Sequence, residues 1–277
     1  MSDFDLVQIG VVHSPVTDRR LMSPYGVPAE VHLFESYVYG LLLIEENTHI
    51  WVTGWLEDVD RERLQIVRPN YQPMHRRRGV FGLRSTTRPN SLAISPARLL
   101  KVRGNVLELE SLDFIDETPV VDIKRYAPAT DIIFAARGSR DRYVLDKADA
   151  EWLGFLEVEA GHFTGAITGG VIAAARLVQH VAIAWNILPK EPELRVIIGA
   201  AIETPILVDA LQAMTGATFG SGRLRFVEGT AIGFEYAAQR LTAQPKACVL
   251  TEREMLRRRP FEELFVLAEE NPLESHP

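Results

Sequence analysis

The 277-residue chain has one cysteine, Cys248, which excludes a disulfide framework and any zinc site built on several thiolates. No apolar run reaches the ~18–20 residues that a membrane-spanning helix needs. The nearest approach, residues 167–187, is broken by Arg176, Gln179 and His180. An excess of positive charge is missing as well. Against 37 Asp and Glu stand 30 Lys and Arg, a net charge of −7, where nucleic-acid binders usually carry a basic balance. The opening MSDFDLVQIG lacks a basic segment leading into an apolar core, so no secretory leader is read and a cytoplasmic location is expected, with no membrane attachment. Internal repeats and low-complexity tracts are absent. What is present is ordinary globular composition, 47% hydrophobic and 24% charged, enough apolar material for two domains.

Alternation punctuated by turn residues marks the first half as β structure. Residues 5–12 read as a buried strand ended by His13-Ser14-Pro15, and residues 48–55 as a β-branched and aromatic strand. Residues 98–102 and 106–110 are further strands, while 31–44 fit strand or helix alike. The stretch 22–26 is turn chemistry, 58–63 a charged turn, and 69–78 a long irregular loop. Between residues 78 and 126, polar residues of both signs sit on turns between apolar strands. Gly79-Val80-Phe81-Gly82 leads into Arg84, Arg88-Pro89-Asn90 makes a bend, and residues 113–119 make an acidic turn. Such turns point to a site at a barrel mouth.

Character changes across the polar residues 127–142. Beyond them, 146–160 has Trp152, Phe155, Leu156 and Ala160 at helical spacing, and 165–187 is an Ala-rich buried helix. A strand (194–201) precedes a helix (204–214) opened by Thr204 as N-cap and Pro205 in the first turn. A glycine-punctuated loop (215–222) leads into two strands, 223–227 and 231–236, read as a hairpin about Glu228-Gly229-Thr230. The tail from Thr251 is a charged helix ending in a frayed segment. The sequence thus predicts a mostly antiparallel β-barrel domain over residues 1–135 and a smaller α+β C-terminal domain over 136–277.

The first domain resembles the TsaA-like β-barrel family of S-adenosylmethionine-dependent tRNA methyltransferases, which act on N6-threonylcarbamoyladenosine. The family's run RxGVFATRSxxRPNPIGLS is matched here by RRGVFGLRSTTRPNSLAIS. Its run LLxVxGxxLxVxGLDxLDGTPVLDIKPY is matched by LLKVRGNVLELESLDFIDETPVVDIKRY. The opening IGVVHSP and Thr48-His49-Ile50-Trp51 match the family's IGxIxSP and SHxW. The resemblance implies S-adenosyl-L-methionine as cofactor, with contacts at His49, Ile50, Arg84, Ile94, Phe114, Ile115, Asp116 and Glu117. Tyr25 and Gly26 join them, because residues 22–26 occupy the place of the family's Pro-Arg-Gln loop. It further implies a guanidinium clamp on the cofactor carboxylate by Arg84, and an amino group held by Asp116. A homodimer with cofactor near the interface follows from the same family. Without that family, His49 reads as a core histidine, and Asp113 and Asp116 as turn formers. Three departures bear on the acceptor: the missing arginine loop, Ser91-Leu92-Ala93-Ile94 for Pro-Ile-Gly-Leu, and Glu117 for glycine. The resemblance implies tRNA as methyl acceptor. A small-molecule acceptor and a non-catalytic cofactor-binding module are the rival readings.

The second domain resembles the formylmethanofuran dehydrogenase E-like family. Residues 161–169 look like a worn HGHxCPGxxxG, and residues 208–224 like VDAIQxxTGCTxGKGNL. Thr164, Ala217 and Ile206 stand where that family has cysteines, so its thiolate metal site is lost. His162, Glu203 and Asp209 remain as oxygen and imidazole donors, read as structural, and no metal is expected.

Overall fold

The computed structural model describes residues 5–67, 77–134, 136, 150–246 and 253–270. The chain divides into two compact units, residues 1–69 with 74–132, and residues 70–73 with 133–277. By these bounds the second unit holds the larger share of the chain.

The first unit is a closed barrel. Its six strands are β1 (Gly10–His13), β2 (Val27–Leu33), β3 (His49–Trp55), β6 (Leu92–Arg103), β7 (Val106–Leu112) and β8 (Pro119–Arg125), in the order β1-β2-β7-β6-β3-β8. Every described pairing in it is antiparallel. Closure removes the edges that alternating strands would otherwise expose. The inward set, including Val12, Val31, Ile50, Val52, Ala97, Leu107 and Val120, makes one core. The two-residue strands β4 (Gln65–Ile66) and β5 (Arg78–Gly79) form a separate ribbon on the long β3–β6 connection. A short helix, α1 (Pro128–Asp131), ends the unit.

Strand β1 is shorter than the expected 5–12. The ambiguous stretch 31–44 resolves into the end of β2 followed by a 3₁₀ segment, Glu35–Leu41. Most of the expected loop 69–78 and part of the expected boundary segment 127–142 lie outside the described residues.

The second unit packs α2 (Ala150–Thr164), α3 (Gly169–Ala184) and α4 (Pro205–Thr215) with a five-stranded sheet. Its strands are β9 (Arg195–Gly199), β10 (Leu224–Val227), β11 (Ile232–Tyr236), β12 (Gln239–Pro245) and β13 (Phe265–Glu270). Helix α3 is buried along Val171–Ala175, and its small residues allow close neighbours: a Cβ on Gly170 would stand 2.5 Å from Ile206 Cγ2.

Three local expectations fail. Strands β10 and β11 do not form a hairpin. β9 lies between them, parallel to β10 and antiparallel to β11, and the hairpin is β11–β12. The β9–α4–β10 path is a parallel crossover, which strand patterning alone cannot distinguish from a hairpin. Thr204 makes no side-chain cap, whereas Thr168 does cap α3, accepting from Val171 N–H at 3.4 Å. The tail is two short helices, α5 (Arg253–Arg258) and α6 (Phe261–Leu264), and then β13, which completes the sheet against β12.

Candidate functional site

Strands β7 and β8 are not neighbours in the barrel, so the link 113–118 between them has to cross its mouth. It is tied down on the β1 side. Asp116 N–H donates to Val16 O at 2.8 Å, Glu117 N–H to Val12 O at 2.9 Å, and Ser14 N–H to Asp116 Oδ1 at 3.0 Å. The Thr118 hydroxyl closes the turn on Ile115 O at 2.7 Å. Glu117 stands at φ +61°, left-handed backbone that a glycine would adopt without strain. Phe114 is buried and fills the space above β3. A Cβ on Gly54 would stand 2.8 Å from its ring, so the glycine makes room for the plug.

The 22–26 loop meets the same turn. Gly26 has φ +76°, and a Cβ there would stand 2.7 Å from the Leu112 carbonyl carbon, so no other residue fits without moving β7. Tyr25 is half-buried, its N–H on Ser23 Oγ at 3.2 Å. From the third side comes Arg84, exposed, whose Nη2 donates to the Ile94 carbonyl. Ile94 pairs with Thr53, close to the Trp55 end of β3 and thus at the mouth. One end of the barrel therefore gathers Tyr25, Gly26, Arg84, Ile94 and residues 114–117.

His49 and Ile50 are elsewhere. Ile50 is 0% exposed and belongs to the barrel core, with its backbone paired on both sides. His49 opens β3 at the opposite end, four residues from Thr53, or about 13 Å along the strand. It lies on the outer surface and not in the core. Its Nδ1 is 3.0 Å from Thr48 Oγ1, and its ring is 6.2 Å from that of Tyr126. Tyr126 in turn contacts Trp51, whose Nε1–H donates to Asp131 at 2.8 Å and so anchors α1. Burial, and then the Arg98 charge, hold the His49 pKa below the ordinary imidazole value, so it is neutral near pH 7. Within one chain the expected contacts thus form two groups at opposite ends of β3.

Sequence reasoning missed His13. Strand pairing brings its Nδ1 to 3.7 Å from Asp116 Oδ1 and 3.8 Å from Glu117 Oε1, with its ring 4.2 Å from that of His32. His32 is held by Glu30 at 2.7 Å, and Glu30 by Arg103 at 2.9 Å. A lone histidine at a strand end carries no signal of this, since its partners lie about a hundred residues on. His13, Asp116 and Glu117 have donor atoms within 4.8 Å of one another, a set with the chemistry to hold a cation. His162, Glu203 and Asp209 are all exposed and make no such cluster.

One guanidinium and two carboxylates thus stand at the glycine-bounded mouth of a closed antiparallel barrel. Residues 19–132 match the family described as tRNA-methyltransferase O N-terminal domain. An S-adenosyl-L-methionine-binding protein of Archaeoglobus fulgidus is 34% identical over 139 residues, 49% of this chain and 98% of that protein. The chain belongs to this family. A second, probable S-adenosyl-L-methionine-binding protein of the same organism is 31% identical over 233 residues, 80% of this chain. The tRNA (adenine(37)-N6)-methyltransferase of Escherichia coli is 35% identical over 148 residues, 46% of this chain. This chain spans 61% and 60% of the lengths of those two proteins. A solved formylmethanofuran dehydrogenase E-like protein from Syntrophus aciditrophicus aligns over 43% of this chain and 72% of its own, at 19% identity and a TM-score of 0.30. No helix among the described residues is long and apolar enough to cross a membrane.

Proposed function

We propose that the barrel mouth binds S-adenosyl-L-methionine and that the protein is a cytoplasmic, homodimeric methyltransferase acting on an adenine N6 of tRNA. The observation that carries this reading is the convergence of Arg84, Asp116 and Glu117 with the backbone of residues 114–117 and Ile94 at one end of the barrel. The cofactor's carboxylate suits the Arg84 guanidinium, and its ammonium suits the Asp116 carboxylate. Backbone groups of the 114–117 turn suit an adenine edge, apart from the Asp116 and Glu117 N–H groups and the Ile115 carbonyl, which the turn's own bonds already engage. When bound, the cofactor supplies a methyl on a sulfonium that leaves as a neutral thioether. The acceptor nitrogen forms the new C–N bond, the C–S bond breaks, and the nitrogen's proton passes to solvent. The protein's task is then alignment of donor and acceptor, and we assign no catalytic base.

Incubation of the purified chain with methyl-labelled cofactor and either total tRNA or a small-metabolite extract tests the reading. Label in tRNA is the expected result. Label in the extract alone would replace tRNA by a small-molecule acceptor. Label in neither would leave a cofactor-binding module without transfer activity.

The separation of His49 from Arg84 supports the homodimer. If His49 of one protomer faces the mouth of its partner, each site takes residues from both chains, and the separation costs nothing. The exposed Tyr39, Leu42 and Leu43, on the segment leading into β3, supply apolar surface at the His49 end; Tyr39 is 95% exposed. Arg84→Ala and His49→Ala should each be poorly active alone. Unfolding and refolding an equal mixture should restore about a quarter of the wild-type sites, since half the dimers are mixed and each mixed dimer has one intact site. No recovery on mixing would place each site within a single chain.

A further inference from the structure

Arg84 is only as well placed as the segment that carries it, and that segment has little of the barrel's ladder to hold it. From Val80 to Ser85 the chain makes one 3₁₀ turn, Val80–Gly82, with Phe81 79% exposed. Its described backbone bonds are Val80 N–H to Leu64 O and Leu83 N–H to Val80 O. Three carbonyls of the segment converge instead on one side chain. Arg88 donates from Nε to Ser85 O at 3.0 Å, and from Nη2 to Val80 O at 3.1 Å and Leu83 O at 2.6 Å. Two of these carbonyls belong to the residues on either side of Arg84.

We propose that Arg88 is the positioning residue for Arg84, and so sets the protein's discrimination for a cofactor that bears an amino-acid carboxylate. This rests on the reading that Arg84 meets that carboxylate. A planar guanidinium can serve three carbonyls from one edge, with charge-assisted hydrogen bonds worth more than neutral ones. Lysine, a compact ammonium on a flexible stem, lacks that fork. Without Arg88, the carbonyls at 83 and 85 turn to water, Val80 O keeps only the Leu83 N–H, and the Arg84 backbone becomes free to move. The Arg84 side chain must then be ordered at the moment of binding, a cost that the wild-type loop has already met on folding.

The test is calorimetric titration of wild type, Arg88→Ala and Arg88→Lys with S-adenosylmethionine and with its decarboxylated analogue, alongside amide hydrogen exchange of residues 80–88 in cofactor-free protein. Both variants are expected to exchange faster in this segment while the barrel strands stay protected. Affinity for S-adenosylmethionine should fall roughly tenfold, with that for the decarboxylated analogue changed less than about twofold. Equal losses for both ligands would make Arg88 a general staple of the loop and overturn the proposal, as would unchanged exchange and affinity. Wild-type protein that binds neither ligand would instead overturn the cofactor reading, and the inference with it. If Arg88→Ala fails to fold, Arg88→Lys carries the same comparison.

Discussion

Replacing Arg84 by alanine is expected to weaken binding of S-adenosylmethionine by about ten- to a hundredfold while leaving the barrel folded. The size follows from the loss of a charge-assisted contact to a carboxylate, each such hydrogen bond contributing about 1.5–3 kcal/mol, and a tenfold change in affinity corresponding to about 1.4 kcal/mol. The fold should survive because Arg84 is exposed and its described bond is to a carbonyl of an already paired strand. Calorimetric titration reads the affinity and far-ultraviolet circular dichroism the fold. Arg84→Lys keeps the charge without the fork and should fall between wild type and alanine. Wild-type affinity in the alanine variant would remove Arg84 from the site. It would also leave Asp116 and the 114–117 backbone as the features that recognise the cofactor.

The second large effect concerns the other unit. Arg257 in α5 reaches the Glu157 carboxylate in α2 by Nε at 3.0 and 3.2 Å and by Nη2 at 2.6 Å, and Glu157 is 2% exposed. Arg176 in α3 secures the same C-terminal end of α5, donating to Leu256 O, Arg257 O and Arg259 O at 2.9–3.0 Å. Burial lowers the Arg176 pKa, but it stays cationic because it starts so far above neutrality. Arg257→Ala strands a buried carboxylate. Losing one partner of a buried pair costs about 3–5 kcal/mol, and the partial exposure of Arg257, 39%, lowers this to about 2–3 kcal/mol. Scanning calorimetry should show a midpoint lower by roughly 5–10 °C. The double variant Arg257→Met with Glu157→Leu should recover most of it, because an apolar pair leaves no uncompensated charge. A double variant no more stable than Arg257→Ala would show that the loss comes from packing and not from the stranded charge.

The same distinction between local and distant causes separates what was legible in the chain from what was not. Alternation from residue 48 to 55, from 98 to 102 and from 106 to 110 shows strands because side-chain direction in a strand has period two, and a half-buried face writes that period into the residues, although the first of the last two begins earlier, at Leu92. The Ala-rich 165–187 shows a buried helix for the parallel reason. Turn chemistry is local too, so the acidic turn at 113–119 and the glycine at 26 were visible as turns. Strand partners are not local. Nothing in residues 223–236 says that β9, thirty residues earlier, will insert between β10 and β11, or that β13 will return from the tail to pair with β12.

The chain by itself determined the two-part architecture, the family of the barrel and the residue types fit for a charged ligand, because each depends on composition or on motifs of contiguous residues. Tertiary structure alone decided where those types meet. Barrel closure put Arg84, Ile94, Gly26 and the 114–117 turn at one mouth, added His13 from a strand a hundred residues away, and placed His49 at the far end. The physical reason is that a hydrogen-bonded register fixes side chains at 3.3–3.4 Å per residue along each strand. Four residues of β3 are therefore enough to carry a side chain from one end of the barrel to the other.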